Sequence, residues 1–107
     1  FLEHSYYKGV LWVRWTKFLP RVGDLFILQY HRGRRVGIFV RSELKSKYAN
    51  DGFTTNKSLG WVWIIMWVPV ENEKMPSKYL SEMTIMNYLK TGEGKIYRSK
   101  DGIYDKD

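Results

Sequence analysis

The 107-residue sequence has no cysteine and no long apolar run. Without cysteine there are no disulfides, thiolate metal ligands or thiol nucleophiles, and such a composition is typical of a reducing compartment. No stretch reaches the roughly 18 apolar residues that span a bilayer, and the N-terminal residues lack the layout of a secretion signal. We therefore expect a soluble protein of the cytoplasm or nucleus that does not bind a membrane.

Acidic residues are nearly absent from one part of the chain, the segment 6–49. It holds ten lysines and arginines against Asp24 and Glu43 alone and therefore carries a charge of +8, whereas residues 50–107 sum to zero. Tryptophan and tyrosine are interleaved with these basic residues. Positive charge mixed with aromatic rings is typical of surfaces that neutralise phosphates and stack on bases. The alternative is a solvated surface with only nonspecific affinity for nucleic acid.

The length suits one domain, residues 1–107, with a single core. Because the chain starts with Phe1, we treat it as a candidate fragment of a larger protein. The other domains of that protein would then be binding partners of this one. Short strand-like and helix-like segments follow one another along the sequence. Their order predicts an α+β fold, with a curved antiparallel sheet or small β-barrel and two or more flanking helices.

A β-hairpin is predicted over residues 25–41. Two segments rich in strand-forming residues, Leu25–His31 and Val36–Arg41, flank a short basic turn that contains Gly33. Long side chains at the tip of such a hairpin stay exposed and reach a phosphate backbone. The arginines that we expect at this tip are Arg32, Arg34 and Arg35.

The other elements are predicted from periodicity and from breaker residues. Residues 10–19 are ambiguous, because Trp12 and Trp15 recur at helical spacing while their residue types also suit a strand; we favour a short helix ending at Pro20. Alternating apolar side chains predict a strand over residues 61–68. The remaining predictions are a polar loop over 42–60, a helix over 76–91 with Met83 and Met86 in the core, and a small hairpin over 95–104.

The order of several short motifs resembles the EVE domain. These motifs are Gly9-Val10, an aromatic stretch, Val22-Gly23-Asp24, a strand ending in Tyr30-His31, and Val36-Gly37-Ile38. The tryptophan-rich strand after Gly60 is similar to a stretch that EVE and YTH domains share. The resemblance covers about residues 9 to 80. It implies a PUA-like fold, as found in modification-dependent restriction systems, that binds DNA or RNA and holds a modified, for example methylated, base in an aromatic pocket.

The resemblance places Trp12 where YTH-like domains have their first cage tryptophan. The second cage position falls on Ser58 and Leu59, so Trp61 is the nearest substitute. A flipped base needs a flat apolar wall on each face and polar groups at its edge. The predicted base pocket therefore consists of Trp12, Arg14, Trp15, Tyr30, Trp61 and Trp63. The predicted contacts to the nucleic-acid backbone are Arg32, Arg34, Arg35, Lys45 and Lys47.

Two interpretations compete for the same tryptophans. Large aromatic side chains usually fill the core of a small domain, and this applies above all to Trp67 and Trp63. A reader of methyl-lysine would use the same aromatic cage. Its cationic ligands are, however, repelled by the charge of +8 in the first half of the chain.

An enzyme is the third alternative. Asp24, Glu43 and Lys45 have the residue types and the order of metal-dependent nucleases, in which two carboxylates hold Mg²⁺ and a lysine steadies the attacking water. The two histidines, His4 and His31, lie beside no nucleophile and in no metal-ligand pattern. We favour a binding module and expect no catalytic residue, metal or cofactor.

Overall fold

The computed structural model describes residues 4–16, 20–30, 33–45, 60–71 and 75–100. Over these ranges the chain forms one antiparallel sheet of seven strands and one α-helix. The strands are β1 (His4–Tyr7), β2 (Val10–Trp15), β3 (Leu25–Tyr30), β4 (Gly33–Lys45), β5 (Gly60–Trp67), β6 (Tyr79–Ser81) and β7 (Gly94–Ser99), and the helix is α1 (Glu82–Thr91). The described part is therefore α+β, as predicted.

The strand order across the sheet is β1-β2-β7-β3-β4-β5-β6. All neighbouring strands are antiparallel, and β7 lies between β2 and β3. In the described ranges β1 and β6 form the two edges and do not pair with each other, so this sheet is open. A closed barrel is not present among these strands.

The predicted helix over residues 10–19 is wrong, because residues 10–15 form β2; residues 17–19 lie outside the described ranges. This correction leaves α1 as the one helix in the described part of the chain, where two or more were predicted. Strand β2 pairs with β1 through a two-residue turn in which Lys8 and Gly9 have positive φ angles of 52° and 80°. Such turns match the twist of a hairpin and favour glycine. Trp12 and Trp15 consequently point to opposite faces of the sheet rather than along one helix face.

The predicted hairpin over residues 25–41 is confirmed as β3 and β4, but two of its three arginines lie elsewhere than expected. Tyr30 pairs with Gly33, so the connection consists of residues 31 and 32, which are outside the described ranges. Arg34 and Arg35 belong to β4 itself. Because side chains alternate along a strand, Arg34 is exposed while Arg35 is buried, with 3% of its surface accessible.

Strand β4 runs farther than the sequence predicts. Residues 42–45, expected in a polar loop, continue the strand and pair with β5, after an irregularity between Phe39 and Arg41. Residues 46–59 of that predicted loop lie outside the described ranges. The predicted strand over residues 61–68 is confirmed as β5, and it buries side chains on both faces apart from Trp61 and Met66.

The predicted helix over residues 76–91 begins later than expected. Ser81 is its N-cap, with the side-chain oxygen accepting a hydrogen bond from the Thr84 amide at 3.1 Å, and the preceding residues form β6. The predicted end is confirmed by Gly92, whose φ of 84° is the left-handed cap. Met83 and Met86 are exposed rather than in the core, since α1 buries the face that carries Ile85.

Two clusters of buried side chains lie on opposite faces of the sheet. The larger is on the side covered by α1, which we call the helix face, and comprises Phe26, Leu28, Phe39, Trp63, Ile65, Trp67, Leu80, Ile85 and Ile96. The smaller comprises Trp12, Leu25, Ile27 and Tyr97. Because Leu25 and Ile27 alternate with Phe26 and Leu28 in β3, this second cluster lies on the opposite side, which we call the far face.

Gly37 allows β4 and β5 to bring large side chains together on the helix face. A Cβ atom at this position would lie 2.6 Å from Cγ2 of Ile65 and 2.7 Å from Cε3 of Trp67. We therefore expect Gly37→Ala to lower the free energy of unfolding by about 1–3 kcal/mol, the usual cost of overpacking a core. Urea denaturation followed by tryptophan fluorescence measures it, and an unchanged midpoint would contradict the packing described for this strand pair.

Candidate nucleic-acid interface

A pocket of about 150 Å³ opens on the far face, where β3, β4 and β7 meet. The register of the strands explains how distant parts of the sequence converge there. Gln29 pairs with Arg34, and Ile27 pairs with Lys95. The residues that line the pocket are Ile27, Gln29, Arg34, Gly92, Glu93, Lys95 and Tyr97.

The rim of this pocket is held by the backbone at the end of α1. Gly92, in the left-handed conformation, donates its amide to Leu89 and turns the chain toward β7. The amide of Gln29 donates to the carbonyl of Glu93 at 2.7 Å, which ties the turn to the end of β3. The hydroxyl of Thr91 donates to the Glu93 carboxylate at 2.9 Å. Glu93 is thus positioned through both its main chain and its side chain.

Both charge signs occur around the pocket without forming an ion pair. Within the described ranges, the side chains of Arg34 and Lys95 form neither an ion pair nor a hydrogen bond, although Glu93 lines the same pocket. Ile27 and Tyr97 are buried and supply an apolar surface between these charges. This arrangement leaves two cations, a carboxylate and the side-chain amide of Gln29 available to a ligand.

Arg14 is the predicted pocket residue that lies next to this site. It pairs across β2 and β7 with Tyr97, one of the lining residues, and it shares the far face with Trp12. The structure therefore places three basic residues, Arg14, Arg34 and Lys95, on one face of the sheet. We expected Arg34 to contact the nucleic-acid backbone from the tip of a hairpin, whereas it lies within strand β4.

The other predicted backbone contacts do not join this group. Arg35 points to the helix face, where it is buried opposite Leu28 and donates from Nη1 to the Arg34 carbonyl at 3.0 Å. Lys45 ends β4 eleven residues beyond Arg34, about 35 Å away at about 3.3 Å per residue. Arg32 and Lys47 lie outside the described residues.

The predicted base-stacking residues have separate environments. Trp12 belongs to the far-face core, with 8% of its surface accessible, and its Nε1 donates to the Tyr7 carbonyl at 3.3 Å. Trp63 packs edge-on against Phe39 in the helix-face core, at 5.4 Å between ring centroids. Trp15 covers the guanidinium of Arg98 at 4.0 Å. Tyr30 is the last residue of β3.

Trp12 and Trp61 do not form the two walls of one cage in this sheet. Their strands, β2 and β5, are separated by β7, β3 and β4, which corresponds to about 19 Å at about 4.8 Å per strand. They also point to opposite faces, since Trp61 alternates with Val62 and shares the helix face with Trp63. The same separation removes this pair as a cage for methyl-lysine. Trp61 is nevertheless 49% exposed, the most accessible of the five tryptophans, all of which are described.

The residues of the nuclease interpretation are also apart. Asp24 is buried, and both of its carboxylate oxygens accept hydrogen bonds from Arg98, the closest at 2.8 Å. Glu43 pairs instead with Arg41 at 2.7 Å. It lies four residues beyond Phe39, the backbone neighbour of Asp24, or about 13 Å along β4. Among the described residues, no three acidic or histidine side chains are grouped so as to hold a metal ion.

Comparison with models of known families, with curated proteins and with solved structures found no match to this chain. In the described ranges no helix has the length and apolarity needed to cross a membrane. The described residues form an α+β domain, and its antiparallel sheet carries a basic pocket on the face opposite the helix.

Six of the seven lining residues were not predicted as site residues, and the four of them with polar side-chain groups are Gln29, Glu93, Lys95 and Tyr97. A signal for part of this set is present, because residues 95–98 form the first strand of the small hairpin predicted over 95–104. What the sequence did not indicate is the neighbour of that strand. Only the insertion of β7 beside β3 brings Lys95 to Ile27 and Gln29.

Proposed function

We propose that this domain binds nucleic acid through the far face of its sheet, with Arg14, Arg34 and Lys95 supplying the positive charge. The observation that supports this most directly is the pair of cations, Arg34 and Lys95, at a solvent-accessible pocket without an ion pair in the described ranges. Unpaired lysines and arginines on one surface neutralise phosphates and release counterions, which favours binding to a polyanion.

The overall charge supports the same proposal. The chain carries +7, and the segment 6–49 alone carries +8, so a polyanion is attracted over a distance of several ångströms. Within that segment Asp24 and Glu43, the two acidic residues, already pair with Arg98 and Arg41. The segment holds no other acidic residue.

Trp61 stands apart from this interface, because it lies on the helix face. An exposed tryptophan ring provides a stacking platform for any base, worth about 1–3 kcal/mol per base, so Trp61 is a separate candidate for stacking with single-stranded nucleic acid. The resemblance to EVE and YTH domains, their PUA-like fold and their preference for a modified base remain predictions. They enter the proposal as the reason to test methylated oligonucleotides alongside unmodified ones.

The test compares two lysines of equal charge at different places. We expect Lys95→Gln to lower the affinity for a single-stranded oligonucleotide about fivefold in 0.1 M salt, and to reduce the salt slope by roughly 0.7, as expected for one lost phosphate contact. Fluorescence anisotropy with DNA and RNA strands, each with and without a methylated base, measures both quantities at several salt concentrations.

Lys78→Gln is the matched control, since Lys78 is exposed and lies just before β6 at the other end of the sheet. It removes the same charge away from the pocket, so we expect only a minor loss of affinity. Equal losses of affinity in the two variants would mean that binding depends on net charge alone. That result would contradict the far-face interface. Absence of binding by the unmodified protein to every strand would contradict the proposed function altogether.

A further inference from the structure

Glu93 distinguishes the far-face pocket from a simple phosphate site. A carboxylate at the rim repels a phosphate group, yet here it lies beside Arg34 and Lys95 and pairs with neither. A ligand that satisfies this pocket must offer acceptors to the cations and donors to the carboxylate. The edges of a nucleobase have this mixed character, whereas a phosphate has only acceptors.

We propose that the pocket accepts a guanine base of a single-stranded nucleic acid, an inference that rests on the proposed function of the domain. Guanine presents the acceptors O6 and N7, which an arginine contacts in pairs, and its N1 and N2 groups are donors suited to a carboxylate. Arg34 and Glu93 line the pocket with these two chemistries. Gln29 both donates and accepts and complements either edge.

The volume of the pocket agrees with part of a single base rather than a base pair. A cavity of about 150 Å³ is large enough to hold a six-membered aromatic ring, so it accommodates the six-membered ring of the bicyclic guanine. Ile27 and Tyr97 line its floor but are almost wholly buried, so the groups that it offers to a base are mainly the polar ones at the rim. Because the N1 and N2 groups are engaged in a duplex, the guanine has to be unpaired.

The carboxylate is oriented before any ligand arrives. Thr91 donates to Glu93 at 2.9 Å, and the Gln29 amide donates to the Glu93 carbonyl at 2.7 Å. Such preorganisation lowers the entropy that ordering these groups costs on binding. Lys95, the second residue of β7, also lines the pocket and remains available for the phosphate next to the guanine base.

The experiment uses uridine or thymidine strands of constant length with one central guanine, adenine, cytosine or inosine. We expect the guanine strand to bind the unmodified protein about tenfold more tightly than the adenine or cytosine strand, the difference that one bidentate base contact makes. Inosine lacks the N2 amino group, so it should lose part of this preference. Arg34→Gln should abolish the preference for guanine, and Glu93→Gln should abolish the difference between guanine and inosine.

The side chains of Arg34 and Glu93 are exposed, so we expect Arg34→Gln and Glu93→Gln to keep the thermal midpoint of the unmodified protein. Lys78→Gln again serves as the control and should retain the preference in full. Equal affinity for all four strands, or a preference that survives Arg34→Gln, would overturn the guanine site while leaving the proposed function intact. If no strand binds, the proposed function fails together with the site.

Discussion

Asp24→Asn is expected to lower the free energy of unfolding by about 3–5 kcal/mol, the typical cost of removing one partner from a buried ion pair. In the native protein Asp24 and Arg98 are both about 4% exposed in their side chains, and three hydrogen bonds of 2.8–3.3 Å join them. Asparagine keeps the shape but leaves the buried guanidinium without a counter-charge. Urea denaturation followed by tryptophan fluorescence is the measurement.

The control for this prediction is an ion pair at the surface. Glu43→Gln breaks the contact with Arg41, whose side chain is 59% exposed, and we expect a loss of at most about 1 kcal/mol. A second variant, Asp24→Leu combined with Arg98→Met, replaces the buried pair by apolar groups and should restore much of the stability. A loss below about 1 kcal/mol in Asp24→Asn would contradict the description of this pair as a structural element.

This result also bears on the nuclease interpretation. Asp24 accepts a further hydrogen bond from the Arg21 amide at 2.9 Å, which closes the turn before β3. Hydrogen bonds from Arg98 and from the Arg21 amide therefore already engage the Asp24 carboxylate. The Trp15 ring covers the Arg98 guanidinium. A loss of any activity on substitution of Asp24 would report unfolding unless the stability of the variant had been measured first.

Trp12→Ala is expected to destabilise the protein by about 3–5 kcal/mol, the usual range for truncating a buried tryptophan. The indole packs with Leu25, Ile27 and Tyr97 in the far-face core. Truncation would leave a cavity there and would also remove the hydrogen bond to the Tyr7 carbonyl. The measurement is the free energy of unfolding, followed by oligonucleotide binding under conditions in which the variant is folded.

Trp61→Ala is the matched control, because it removes the same side chain from a half-exposed position. We expect it to change stability by less than about 0.5 kcal/mol and to weaken binding if a base stacks there. The opposite pattern would be a Trp12 variant with full stability and no binding. That outcome would restore Trp12 as a ligand-contacting residue and contradict its assignment to the core.

Local sequence patterns predicted those parts of the fold that depend on local chemistry. The alternation of apolar residues in 61–68 and the glycine after Thr91 each indicated an element that the structure contains. The first hairpin was missed because Trp12 and Trp15, three residues apart, imitate a helix face. Gly9 carried part of the correct signal, since two-residue hairpin turns with positive φ angles favour glycine.

The functional surface was predicted less completely than the fold. The excess of positive charge is visible in the sequence, but its division between faces is not. Arg34 and Arg35 are adjacent in the sequence, and only the start of β4 at Gly33 decides which of them is exposed. Lys95 pairs with Ile27, and the Glu93 carbonyl accepts a hydrogen bond from the Gln29 amide, each across more than sixty residues, and no local pattern encodes such contacts.

The place of β7 in the sheet has a consequence for how the chain acquires its structure. The hairpin of β1 and β2 bonds to the rest of the sheet only through β7, which comes last of the described strands. During synthesis, β3 to β6 can pair as soon as they emerge, whereas that hairpin waits for residues 94–99. Such distant pairing slows folding. The pocket, whose lining also includes β7, is therefore completed late, together with the docking of the N-terminal hairpin.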